Sequence, residues 1–171
     1  DVASGGRESI LHNGASQPRN GALPEIDPKS PRDGNYRIPR AIVDLNAARP
    51  VHLAIVDGVR TMAGGQNPGR YTQAVSPGVL LAGTNVVTTD VVSTMVMNYD
   101  PTVERGQAPF DNCDSKFKLA EQVGLGTRDP KQIEIIGPRP QEVAFDFRTI
   151  RDRLREKRRR EMPPRSTPRG A

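Results

Sequence analysis

His52-Leu-Ala-Ile-Val-Asp57-Gly58 and Pro77-Gly-Val-Leu-Leu-Ala-Gly83 are the two stretches that decide the fold. Each is a short aliphatic run that stops at glycine. Runs of this length, bounded by Gly and Pro, read as buried strands, here over 52–56 and 79–82. The first empties into Gly64-Gly65-Gln66-Asn67-Pro68-Gly69. The second empties into Thr84-Asn85 and then Thr88-Thr89-Asp90. Polar loops at the carboxyl ends of apolar strands are where α/β proteins present functional groups.

Outward from these strands the pattern changes period. Ile38, Ala41, Ile42, Leu45 and Ala48 recur at helical spacing, Pro39 is tolerated in a first turn, and Arg49-Pro50 ends the helix. Residues 58–77 read as one long loop, a length that in a compact domain signals function or disorder. Helices are expected over 88–98 and 115–123, the latter stopped by Gly124. A third strand is expected over 132–136, Gln-Ile-Glu-Ile-Ile. A final helix starts near Phe147, with Ile150 and Leu154 on one side. This order predicts an α/β fold with a small mixed sheet flanked by helices. Three strands make a thin sheet, so completion by an N-terminal half absent from this chain is expected. The start, Asp1-Val-Ala-Ser-Gly-Gly without Met or signal pattern, reads as a fragment or processed chain.

Three regions follow. Residues 1–36, rich in Gly, Pro, Asn and Ser, form an extended or flexible arm with Ile10, Leu11, Leu23 and Ile26 as anchors. Residues 37–148 form the α/β core. Residues 149–171 form a basic helix and a disordered tail.

Composition narrows the chemistry. Of 171 residues, 35% are hydrophobic and 4% aromatic, with 16 Gly and 16 Pro, which predicts much loop around a modest core. The net charge of +5 is a tail property: residues 148–171 hold ten Arg/Lys against three Asp/Glu, leaving the rest at −2. The basic pI therefore does not describe the core surface. A single cysteine, Cys113, excludes an internal disulfide and any iron–sulfur cluster ligated wholly by this chain. No window approaches eighteen apolar residues, so no transmembrane segment is expected.

The candidate site collects at the strand ends. Asp57 and Asp90 read as catalytic carboxylates or as ligands of a divalent cation, brought together if the two strands are neighbours. The plainer readings are a turn-forming Asp57 and a helix-opening Thr88-Thr89-Asp90. Gly64, Gly65, Gln66 and Asn67 read as an anion-cradling loop, or as simple flexibility. Asn85 and Thr89 complete the ligand-binding set. Asp111-Asn112-Cys113-Asp114 is a dense polar cluster, read either as a cap of helix 115–123 through Asp114 or Ser115, or as oxygen ligands. His52 reads as a packed or edge residue rather than a metal ligand. Eight basic residues between Arg148 and Arg160 lack interleaved aromatics, which disfavours nucleic acid and leaves an acidic partner protein as an alternative.

His52-Leu-Ala-Ile-Val-Asp-Gly-Val-Arg-Thr-Met-Ala-Gly-Gly-Gln-Asn-Pro, Pro77 through Asp90, Pro109-Phe-Asp-Asn-Cys-Asp, Leu119 through Asp129 and Ile133-Glu-Ile-Ile-Gly together resemble the bacterial "domain of unknown function 362" family. The resemblance covers roughly residues 36–148 and is to the C-terminal half of such proteins. It implies kinship with proteins some of which are fused to ferredoxin-like iron–sulfur modules. It also implies kinship with members that carry twin-arginine signals, hence a periplasmic or extracytoplasmic location. The family's reaction is not characterised. Two functional expectations result. One is a polar strand-end site for a small anionic ligand or a divalent cation, in a larger redox-linked protein. The other is a non-catalytic assembly subunit that binds partner chains through its arm and its Arg-rich tail.

Overall fold

Residues 54–83 fold back on themselves as one long antiparallel ribbon in two parts. Strand β1 (Ala54–Gly58) pairs with β4 (Val79–Gly83), and between them β2 (Thr61–Ala63) pairs with β3 (Gln73–Val75). The computed structural model describes residues 36–65 and 67–162. The 1–35 arm, Gln66 and the tail from Pro163 lie outside these residues, so the arm and disordered-tail expectations do as well. The expected loop over 58–77 thus contains a hairpin that short, Gly-interrupted segments concealed.

The register contains a bulge. Gly58 faces Val79 and Thr61 faces Val75, so two residues on one strand oppose three on the other. An unequal count of this kind shifts the alternation of one strand against the other. From Gln73 to Gly83 the alternation is unbroken, with Ala74, Ser76, Gly78, Leu80 and Ala82 exposed. On the first strand the covered positions switch from Ala54, Val56 and Gly58 to Ala63. The ribbon consequently keeps one face covered and one face open along its length.

Helix α1 (Arg37–Ala48) precedes the ribbon, and α2 (Val86–Val96) follows it. Asn85 starts α2, its side chain accepting from Val87 N and Thr88 N, which leaves Thr88-Thr89-Asp90 inside the first turns rather than at the cap. Helix α2 lies against the ribbon base. A Cβ on Gly83 would overlap Thr89 Oγ1, so glycine here permits the close approach. Helix α3 (Lys116–Gln122) is capped by Ser115, and α4 (Phe147–Glu161) by Asp146.

Two clusters hold these elements. Val43, Val87, Val91, Phe110, Phe117, Leu119 and Ala120 join α1, α2 and α3, with Phe110 and Phe117 edge to face at 5.6 Å. Ala63, Val75, Tyr99 and Phe147 join the hairpin to α4. The α1 stripe read from the sequence is not the buried one. Pro39 and Val43 point inward, whereas Leu45 is 70% exposed. Both sides of α1 are apolar, and α3 selects the Val43 side.

The expected strand over 132–136 does not form. A 3-10 turn occupies Pro130–Gln132, and the following residues belong to neither sheet. Ile133 packs on the first cluster while Ile136 is 94% exposed. The α/β class holds, with the strands arranged as two antiparallel pairs.

At the hairpin tip, Gly64 has φ +91°, and a Cβ there would meet Tyr71 O and Leu154 Cδ1 of α4. Gly64→Ala is expected to destabilise by about 2 kcal/mol, from left-handed backbone strain and displaced packing. Urea denaturation beside wild type measures it, and an unchanged midpoint would contradict the tight tip.

Candidate functional site

The antiparallel pairing distributes the strand-end residues along the ribbon instead of gathering them. Asp57 faces Leu80, while Gly83, which leads to Asn85 and Asp90, faces Ala54. Asp57 and the Gly83 end lie three pairs apart, roughly 10 Å along the strand. Gly64, Gly65 and Asn67 lie at the opposite tip, seven or more residues beyond Asp57, or roughly 23 Å along the strand. The expectation that neighbouring strands bring Asp57 and Asp90 together required them to run the same way. The β1–β4 register is antiparallel, so the carboxyl ends of the two strands point in opposite directions.

Each residue of the set is used locally. Asp57 Oδ1 accepts from Val59 N at 3.0 Å, a turn bond at the bulge. Asp90 is ion-paired with Lys116 of α3. Asn85 caps α2 and donates from Nδ2 to Leu125 O at 2.8 Å, tying the helix start to the end of α3. Thr89 is buried against Gly83 and donates to Asn85 O at 2.7 Å. Gly64, Gly65 and Asn67 are exposed at the tip, and Gln66 lies outside the described residues. Among the described residues, no three His, Cys, Asp or Glu side chains converge where a metal ion could sit.

The Asp111–Asp114 segment does gather charge. Asp111 is ion-paired with Arg151 of α4, and with Arg155 at 3.3 Å. Asp114 accepts from Arg40 of α1 at 2.8 Å and from Arg105 at 3.5 Å. Arg40 also lies over the Tyr36 ring, 3.8 Å from its centre. Two carboxylates three residues apart therefore hold the first and last helices to one loop. Burial favours the neutral form of Asp111. The hydrogen bond from Arg151 and the charges of Arg151 and Arg155 outweigh it and keep the carboxyl below its usual range. Burial pushes the Cys113 thiol up, with Arg105 opposing, so a reactive thiolate is not favoured. His52 is exposed at the entry to β1.

The basic helix also spends charge internally. Besides Arg151 and Arg155, Arg153 donates to Gln73 Oε1, and Lys157 donates to Arg70 O at 3.4 Å. Arg70 pairs back to Glu161 at 2.9 Å. These contacts join α4 to the hairpin tip and match the plain reading of a docked, solvated helix.

Two features were missed in the sequence. The first is the open ribbon face, where Ile55 and Leu80 are 64% and 68% exposed beside Ala82 and Asp57. The second is a hollow of about 560 Å³ toward the tip, bordered by Arg60, Met62, Gly65, Ala74 and Ser76. Strict alternation from β1 would have shown the first. The second depends on the bulge, which Pro77-Gly78 signals by residue type but whose register no single strand gives.

Among the described residues, no helix is long and apolar enough to cross a membrane. No curated protein and no solved structure matches the chain. The family comparison matches residues 2–95, taking in the N-terminal segment and ending inside α2, whereas the resemblance was read over 36–148. The shared unit is thus the chain through the ribbon and most of α2, with α3 and α4 packed around it. With more than half of its length matching the family described as Domain of unknown function (DUF362), the chain belongs to that family.

Proposed function

We propose that this domain is a docking module that binds another polypeptide across the open face of its ribbon. The observation that carries the reading is the asymmetry of the β1–β4 pair. One face lies under α2, while the other presents Ile55, Leu80 and Ala82 to solvent. A two-stranded antiparallel sheet gains little stability alone, and contiguous large aliphatic side chains on its open face gain by being covered. The strands carry no Lys or Pro that would block a further strand at their edges. The partner surface is apolar and extended, and it supplies main-chain groups to an edge or aliphatic side chains to the face. The dispersal of Asp57, Asp90 and the Gly-rich tip leaves the strand-end catalytic reading without a shared centre. On the family resemblance alone, the domain is part of a larger, exported, redox-linked protein.

Photo-crosslinking in cells tests the proposal. A photoreactive phenylalanine at position 80 is expected to give a discrete adduct that Ile55→Glu removes. The same probe at Ile136, which is 94% exposed but isolated, is expected to give none. Equal labelling from both positions, or none from position 80, would overturn it.

A further inference from the structure

The hollow near the ribbon tip is lined in a way that the docking face is not. Extending the β2–β3 register by one pair sets Arg60 opposite Ser76, next to the observed pair Met62–Ala74. All four residues border the hollow, on the open side of the ribbon. Directly opposed residues hold their Cβ atoms about 5 Å apart, and successive same-face pairs are spaced by about 7 Å along the strands. A cationic and hydroxyl pair therefore sits one step from an apolar pair.

We infer that this hollow is a binding site for a carboxylate carried on a short aliphatic stem. Arg60 is the only charged residue among the seven that line it, so no carboxylate of the lining neutralises the guanidinium. A guanidinium recognises a carboxylate through two parallel N–H···O bonds. The Ser76 hydroxyl donates a third from across the ribbon. Met62 and Ala74 then lie under the stem, and the flexible thioether adapts to its shape. Gly65 closes the tip side without a side chain to fill the space. Asp57, an acidic residue on the same face, has an oxygen engaged by Val59 N. An amine on the same stem would meet Arg60 with like charge and be rejected.

The anionic ligand expected from the sequence thus acquires different residues, with Gly65 alone carried over from the earlier set. The carboxylate has two sources, a free short-chain acid or an acidic side chain of a polypeptide laid along the ribbon. The site does not depend on what covers Ile55 and Leu80.

The test is a titration of the full chain followed by amide NMR, with sodium hexanoate, hexan-1-ol, hexylamine and the capped peptide acetyl-Ala-Leu-Glu-Leu-Ala-amide. Hexanoate is expected to cause saturable shifts at residues 60–62, 65 and 74–76, with hexanol weaker and hexylamine silent. Arg60→Gln is expected to weaken hexanoate about tenfold or more, Ser76→Ala about threefold, and Arg60→Lys less than Arg60→Gln. Arg60 is exposed, so unchanged thermal midpoints will show that the variants fold. Saturable, Arg60-dependent binding of hexanoate alone assigns the free acid as the source; binding of the peptide assigns a polypeptide side chain. Absence of saturable shifts with either probe, equal response to hexylamine, or indifference to Arg60→Gln would overturn the inference. A crosslink from position 80 would still stand in that case.

Discussion

Phe117→Ala should lower the free energy of unfolding by about 3–5 kcal/mol, the largest loss expected from a single truncation in this chain. Phe117 is 2% exposed and sits where α1, α2 and α3 meet. Its ring packs edge to face on Phe110 at 5.6 Å, and Val43, Val87 and Val91 fill the remaining sides. Truncation removes the transfer energy of the ring and leaves a cavity that the flanking backbone cannot close. The consequence reaches the family unit, because α3 lies beyond residue 95 while Val87 and Val91 lie before it. If the matched segment were self-sufficient, the variant would keep most of its stability. Equilibrium urea denaturation decides: a loss below about 1 kcal/mol would contradict an inter-helix core centred on Phe117.

Asp111→Ala is expected to cost about 2 kcal/mol at neutral pH, because a hydrogen bond to a charged group is lost and its partner stays partly buried. Arg151 is 16% exposed on its side chain, and among the described residues its buried Nη1 has no hydrogen-bond partner, so losing Asp111 leaves the guanidinium less compensated. The same carboxylate sets a pH dependence. Burial raises the Asp111 pKa, but Arg151 and Arg155 together lower it below the ordinary carboxylate value. The folded chain therefore holds this proton less tightly than the unfolded chain does. The stabilisation is fully present above the unfolded value of about 4 and is lost as pH falls through the depressed folded value. Glu104 acts in the same direction: burial opposes its charged form, and Lys118 and Arg128 overcome it. Urea midpoints measured from pH 6 down to pH 2 should fall below about pH 4 in wild type and fall less in Asp111→Asn. Parallel curves for the two proteins would show that the Asp111 contacts do not contribute.

Some of this architecture was legible before any coordinates. Aliphatic runs stopped by glycine marked β1 and β4 to within two residues. Helical spacing marked α1 and α4, helices were expected where α2 and α3 stand, and Ser115 and Gly124 bounded α3 as their residue types imply. These are local matters, decided by side-chain period, capping chemistry and backbone freedom, and a single segment carries them. The 132–136 run misled because β-branched residues favour extension but cannot supply a neighbour to pair with.

What only the tertiary structure decided is direction and register. Whether Asp57 meets Asp90 depends on whether two strands run parallel or antiparallel, and no residue in either strand encodes that. The side of α1 that is buried depends on α3 arriving against Val43, although Leu45 is equally apolar. A one-residue inequality between Gly58–Thr61 and Val75–Val79 aims Arg60 and Ser76 into the same hollow. Such choices rest on contacts between segments distant in the chain, where packing of the whole settles what each part leaves open.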